Sequence, residues 1–410
     1  MGDVDKGPAD REEPLRDTRL VVRIAPSICD VDADAWDACA AGGGESQKTS
    51  IRPPNPFVSH GFLSALEESG STAPDTGWLP QHLLYEDAQG CLLACMPCYL
   101  KSHSQGEYVF DHGWAEAYMH AGGRYYPKLQ ASVPFTPVPG PRLLVRAGAD
   151  PIERQAILLE AGRTFTEELG VSSLHITFMT RSEWDLAGRL GYLQRTDQQF
   201  HWPNQGYDSF DDFLAALSSR RRKTIKKERR AALEDGVEIE WVTGSALTEA
   251  HWDAFFAFYM NTGSRKWGTP YLTRECFSLL GQRMADELLL VLAKRGGDYV
   301  AGALNVIGAD ALYGRYWGTT EMHDFLHFEV CYYQAIDYAI KNRLARVEAG
   351  AQGAHKLARG YLPTKTYSAH YIADPGLARA VADYLERERR AVAHEAALLN
   401  EESPYRRDHA

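Results

Sequence analysis

Between Leu344 and Leu362 the chain reads LARVEAGAQGAHKLARGYL, which sets a carboxylate (Glu348), an amide (Gln352), an imidazole (His355), an ammonium (Lys356) and a guanidinium (Arg359) among Gly350, Gly353 and Gly360. Glu348 or His355 can accept a proton, Lys356 can face developing negative charge, and Gln352 and Arg359 can orient polar substrate groups. Arg346 to Ala349 reads as a short strand and Gly350 to Gly353 as a bend. Ala354 to Arg359 reads as about two helical turns closed by Gly360. A bend with so little side-chain bulk lets another molecule approach the backbone. The ordinary alternative is a turn whose polar groups are solvated or pair with one another.

Two further groups could take part. In LHFEVCYYQAIDYAI, Phe328, Tyr332, Ala335 and Ala339 form a buried helical stripe. His327 and Glu329 occupy the first turn of that helix, near the sheet opening, where they serve as substrate-binding residues or as a cap and an ion pair. Upstream, SRRRKTIKKERR places eight positive charges and one negative between Arg220 and Arg230. The whole chain carries -11, so this run of +7 leaves -18 for the rest. Leu214, Leu217, Arg221, Ile225 and Ala232 make the inward stripe, leaving Arg220, Lys223, Lys226, Lys227 and Arg230 to face outward. Such a helix suits a phosphate backbone, or it is a solvated face balanced by nearby acids.

The acidic balance argues against a general DNA or anionic-membrane binder. At 410 residues with 44% hydrophobic residues, the chain exceeds one core, and two domains are expected. Seven irregularly spaced cysteines read as reduced thiols of a cytoplasmic protein. Cys91, Cys95 and Cys98 fall on both faces of one strand, so no metal site is expected there. Residues 1–19 read as a disordered tail, and no apolar run reaches membrane-spanning length.

The elements that would position these residues repeat. Gly191-Tyr192-Leu193 and Gly360-Tyr361-Leu362 lie 169 residues apart, and each is followed by a histidine and an aromatic residue, His201-Trp202 and His370-Tyr371. Each group follows a helix, a strand and a short helix, which suggests tandem copies of one plan, residues 20–203 and 204–400. Opposite EAGAQGAHK the first copy has MTRSEWDLA, without the glycines. The second copy is therefore expected to be catalytic and the first structural.

Long stretches, among them GEYVFDHGWAEAY, YYPKLQASVPFTPVPGPRLL, WGTTEMHDFLHFEVCYYQAIDYAI and EAGAQGAHKLARGYLPTKTYSAHYIADPG, resemble the FemAB-like proteins, a family tied to peptidoglycan biosynthesis or recognition and to N-acyl transfer. The resemblance runs from about Val21 to Leu385. It implies an α/β (α+β) fold of two tandem GNAT-like domains with mixed, mainly antiparallel sheets flanked by helices. It also implies an N-acyltransferase that moves an acyl or aminoacyl group onto an amine, such as that of a cell-wall precursor. The co-substrate would be aminoacyl-tRNA or acyl-CoA, with no permanently bound cofactor and no metal.

Lys356 matches the lysine of the Phe-Lys motif of Fem enzymes, with His355 in place of the phenylalanine. The loop Gly318 to Asp324 lacks the GNAT pyrophosphate pattern and adds Glu321 and Asp324, which favours an aminoacyl-tRNA donor and the basic helix as its docking face. An acyl-CoA-dependent GNAT enzyme and a non-catalytic recognition module are the alternatives. No Ser-His-Asp or Cys-His arrangement is present, so direct transfer in a ternary complex is expected rather than a covalent acyl-enzyme.

Overall fold

The computed structural model describes residues 21–42, 53–148, 150–266, 270–350 and 353–406. Its strands are β1 (Val21–Ala25), β2 (Trp78–Pro80), β3 (His82–Glu86), β4 (Leu92–Met96), β5 (Tyr99–Lys101), β6 (Lys128–Ala131), β7 (Leu144–Val145) and β8 (Ser173–Met179). They continue as β9 (Leu193–Pro203), β10 (Val237–Thr243), β11 (Leu288–Arg295), β12 (Asp298–Ile307), β13 (Ala311–Thr319), β14 (Arg346–Glu348) and β15 (Leu362–Ile372). A four-stranded sheet runs β1-β3-β4-β7, and an eleven-stranded sheet runs β10-β11-β12-β13-β14-β9-β15-β8-β6-β5-β2. Helices pack around these sheets in an α/β arrangement of two GNAT-like halves.

The large sheet is a single surface because each half lends its last strand to the other. β9 lies between β14 and β15, and β15 lies between β9 and β8. The two exchanged strands pair antiparallel with Leu362 opposite His201, Thr366 opposite Asp197 and His370 opposite Leu193. Asp197 thus faces its own counterpart at the 169-residue offset, and the repeat becomes a pseudo-two-fold axis between the strands. The cores also merge across the halves. Phe57 packs edge-on against Tyr313 with ring centroids 5.3 Å apart, within one cluster that includes Trp36, Leu63, Trp252, Phe277 and Leu290.

Local sequence accounts for the main elements. The run LLLVLA of β11 is buried on both faces, as expected of a strand covered by helices on each side. Asp150 caps the helix Pro151–Glu168 by accepting the Ile152 amide, with proline in its first turn. The stretch that carries the basic run forms two helices, Phe210–Ala216 and Ser219–Ala232. The chain turns extended at Leu217, whose buried side chain anchors the break. Ala354–Arg359 is a 3-10 helix rather than an α-helix, closed by Gly360 at φ 92°. Among the described helices none is long and apolar enough to cross a membrane.

Close packing on β13 tests this arrangement. A Cβ on Gly318 would come within 2.1 Å of the Phe258 carbonyl oxygen in the helix Glu249–Lys266. Gly318→Ala should therefore destabilise the protein by about 1–3 kcal/mol, since neither backbone yields freely. Gly113→Ala, in the helix His112–His120 with open space around it, should be neutral or slightly stabilising. Denaturant midpoints of the two variants decide the point.

Candidate active site

β13 and β14 run parallel and pair only from Ala311 with Arg346 to Tyr313 with Glu348. Beyond that point the pairing stops, β14 ending while β13 runs on to Thr319, and this break in the sheet is the cleft. On its other edge β13 carries a bulge: Leu304 pairs with Tyr316 and Asn305 with Gly314, so Arg315 is the extra residue. Bulges re-aim side chains next to functional sites. The Arg315 guanidinium donates through Nη1 to the Gly314 carbonyl at 2.9 Å. Its Nε and Nη2 are shut off from water without a partner. Burial pushes its pKa down, and the Glu348 carboxylate opposes that effect.

Glu348 ends β14 and is 2% exposed. Arg346 Nε donates to its Oε1 at 2.9 Å, while Oε2 has no hydrogen bond and lies 3.8 Å from His201 Nε2. His201 comes from β9, directly opposite Glu348 in the sheet. Burial lowers its pKa against the pull of Glu348, so the imidazole is held toward its neutral form.

Lys356 closes the cleft from the 3-10 helix. Its ammonium donates to the carbonyls of Ala349 at 2.6 Å and Gly350 at 3.1 Å, the two residues that follow Glu348. Burial, with Arg315 adding to it, pushes its pKa down to about 8. Gly350 has φ 76° and Gly353 φ 114°, conformations that a side chain would strain. Glu348 and Lys356 thus converge on one cleft, joined by Arg315 and His201, and Gln352 lies outside the described residues.

His355 points the other way. Its Nε2 is 3.0 Å from the Tyr332 hydroxyl, and its ring lies beside those of Phe328 and His327. His327 also packs on Trp317 with centroids 5.1 Å apart. It lines a separate cavity of about 260 Å³, together with Thr262, Thr319, Met322 and Leu326.

Two other candidates belong to buried ion-pair networks. Glu329 receives Arg229 at 2.9 and 3.1 Å and Gln334 at 2.7 Å, while Arg229 also holds Asp337 at 2.7 Å. Arg359 donates to Glu228 at 2.8 Å and lies 3.4 Å over the Phe328 ring, and Tyr333 completes that group through Glu228. Both networks tie the basic helix to the segment 326–341. On the helix itself Arg220, Lys223, Lys226, Lys227 and Arg230 are all exposed, while Glu228 is buried and Arg229 half-buried.

Sequence reasoning missed Arg315 and His201 as site residues. A lone arginine within the apolar run ALYGRYWG was the available signal for the first. For His201 it was the repeat marker, which gave its strand position but not the strand exchange. Beside the cavity, Glu321 pairs with Arg295 at 2.6 Å and with His323 at 3.1 Å, so the loop 318–324 carries an engaged carboxylate.

Residues 27–407 match the sequence profile of the FemAB-like family, described as peptidoglycan biosynthesis/recognition. No curated protein matches the chain significantly. The fold resembles the crystal structure of FemX with TM-score 0.53 and 13% identity, covering 86% of this chain and 98% of that one. It also resembles the C-terminal domain of a putative lysylphosphatidylglycerol synthetase from Agrobacterium fabrum, with TM-score 0.52 and 9% identity, covering 86% and 96%. At these identities the likeness is one of fold.

The lysine in the cleft yields a pH prediction. Its folded pKa of about 8 lies below the 10.5 of a free lysine, so between those values the unfolded chain binds more protons. The penalty of burying this ammonium is full below pH 8 and is relieved as the pH rises toward 10.5. The stability of the wild type relative to Lys356→Met should therefore rise across that window, as measured by denaturation at a series of pH values. A flat difference would show that Lys356 is an ordinary solvated amine.

Proposed function

We propose that this chain, which belongs to the FemAB-like family, is an N-acyltransferase whose reaction takes place in the cleft between β13 and β14. The observation that carries the reading is the Arg315 guanidinium, whose Nε and Nη2 are unpartnered, beside the half-partnered Glu348 carboxylate, with Lys356 and His201 closing the same opening. Buried N–H groups lacking partners cost free energy, and an incoming carbonyl or carboxylate oxygen would offset that cost.

In the reaction, the acceptor nitrogen attacks the donor carbonyl carbon and forms the new C–N bond. Charge that develops on the carbonyl oxygen faces Arg315 and Lys356. The proton of the attacking amine goes to Glu348 Oε2, which His201 adjoins at 3.8 Å. The C–O bond of an ester donor then breaks, and its oxygen leaves with a proton.

Two features favour an aminoacyl ester of tRNA over acyl-CoA. The loop 318–324 presents the paired carboxylate of Glu321 where a pyrophosphate would need donors. Five exposed cations lie on the helix that packs against the segment 326–333 and the 3-10 helix. A cell-wall precursor amine is the acceptor in keeping with the family description.

Incubating the protein with charged tRNA or with acetyl-CoA, and weighing candidate amines by mass spectrometry, tests the reading. Transfer from charged tRNA is expected. Donors that all stay intact while ligands still bind would instead mark a recognition module. Replacing Lys223, Lys226 and Lys227 together by Glu should weaken tRNA binding at least tenfold and flatten its salt dependence, and unchanged binding would remove the helix as a docking face.

A further inference from the structure

The first half has an opening of its own at the position equivalent to the cleft. β6 and β8 pair parallel from Leu129 with Leu174 to Ala131 with Ile176, where the pairing stops, as it does between β13 and β14. Just beyond the last pair lies a cavity of about 10 Å³, lined by residues that include Glu107, Gln130, Ser132, Thr136 and Thr177. Phe178 on its wall and Phe135 beside it both hold left-handed backbone, φ 58° and 59°, an expensive conformation for so bulky a residue.

The polar atoms around this cavity are unusual in being buried and unsatisfied. Glu107 Oε1, Gln130 Oε1, Ser132 Oγ and Thr136 Oγ1 have no hydrogen-bond partner, and all four residues are at most 7% exposed. Such groups cost free energy unless something fills the space between them. Two of the four atoms are pure acceptors and the other two are hydroxyls that can accept, so the set asks for a group rich in N–H or O–H. The space admits one water-sized group, which suits an ammonium and excludes a guanidinium.

The carboxylate is held in place for this role. Glu107 Oε2 receives the buried Lys128 ammonium at 2.8 Å, and Lys128 also holds Ser104 at 2.9 Å and Asp111. Lys101 approaches Glu107 Oε1 only to 3.9 Å. It spends its hydrogen bond on the Gln105 carbonyl at 3.0 Å and sits 3.5 Å over the Trp78 ring. Burial lowers the pKa of Lys101 to about 7, and burial likewise raises that of Glu107 against the pull of Lys128.

We propose that this cavity binds a primary ammonium group of the acceptor other than the nitrogen that is acylated, with Glu107 Oε1, Gln130 Oε1 and the hydroxyls of Ser132 and Thr136 as its partners. The wall between this cavity and the cleft is shared. The Phe135 carbonyl accepts hydrogen bonds from Tyr108, which lines the cavity, and from Tyr316, which follows Arg315 on β13. The proposal rests on the acyl-transfer reading for the ligand's role as acceptor, and not for its binding.

Titration calorimetry of the full-length protein with n-propylamine at pH 7, with 1-propanol as the matched neutral probe, tests it. The amine should bind at least tenfold more tightly than the alcohol. Thr136→Val and Ser132→Ala, which preserve shape and should fold, should each weaken amine binding by roughly tenfold. Equal affinity for amine and alcohol, no binding of either, or full amine affinity in both hydroxyl variants would overturn the proposal, as would an amine-soaked crystal with only water in the cavity. Amine binding without transfer from any donor would sink the acyltransferase reading and leave the site. Transfer with an unchanged KM for the amine in Thr136→Val would do the reverse.

Discussion

The antiparallel pairing of β9 with β15 is the constraint on which the rest depends. Because each half gives its last strand to the other, the halves share one sheet rather than meeting at a surface. A one-residue slip in this pairing would turn every side chain of both strands to the wrong face. The same exchange assembles the cleft: His201 belongs to the first half by sequence, yet β9 carries it beside Glu348 of the second.

The buried charged groups differ in how they are paired. Glu329 is held by Arg229 and Gln334, and Glu228 by Arg359 and Tyr333, although Arg359 Nε keeps no partner. Breaking such a buried pair leaves an uncompensated charge, which costs about 3–5 kcal/mol. Arg315 differs in that its hydrogen bond goes to a backbone carbonyl, and Glu348 in that its Oε2 has none. Lys356 differs in a third way: its ammonium is bonded, but burial makes it a stronger acid than a free lysine. The first half repeats the contrast, with Lys128 fully engaged and the atoms around the small cavity not.

Much of this was legible in the sequence. The repeat of Gly-Tyr-Leu and His-aromatic marked the two exchanged strands, and the glycines of EAGAQGAHK marked the turn that closes the cleft. Helical periodicity sorted the outward cations of the basic helix correctly, because burial there follows a simple stripe. It could not show that Glu228 and Arg229 point inward to partners about a hundred residues away, a matter of tertiary contact alone. The partners of Arg359 and Glu329 were hidden for the same reason: sequence displays a charge but not what it pairs with. Arg315 was hidden by a bulge, which exists only once β12 and β13 are paired. The expectation that the first half is merely structural followed from its missing glycines, and it overlooked a polar cavity built from strand ends rather than from a glycine turn.

The proposed chemistry depends on Arg315, whose Nε and Nη2 are buried without partners. The most direct measurement is kcat/KM for acyl transfer by Arg315→Met, alongside its unfolding midpoint. A loss of about 10²- to 10³-fold is expected, the usual cost of removing one group that faces developing charge, in a protein at least as stable as the wild type. Transfer at the wild-type rate would contradict it and move the chemistry out of the cleft between β13 and β14.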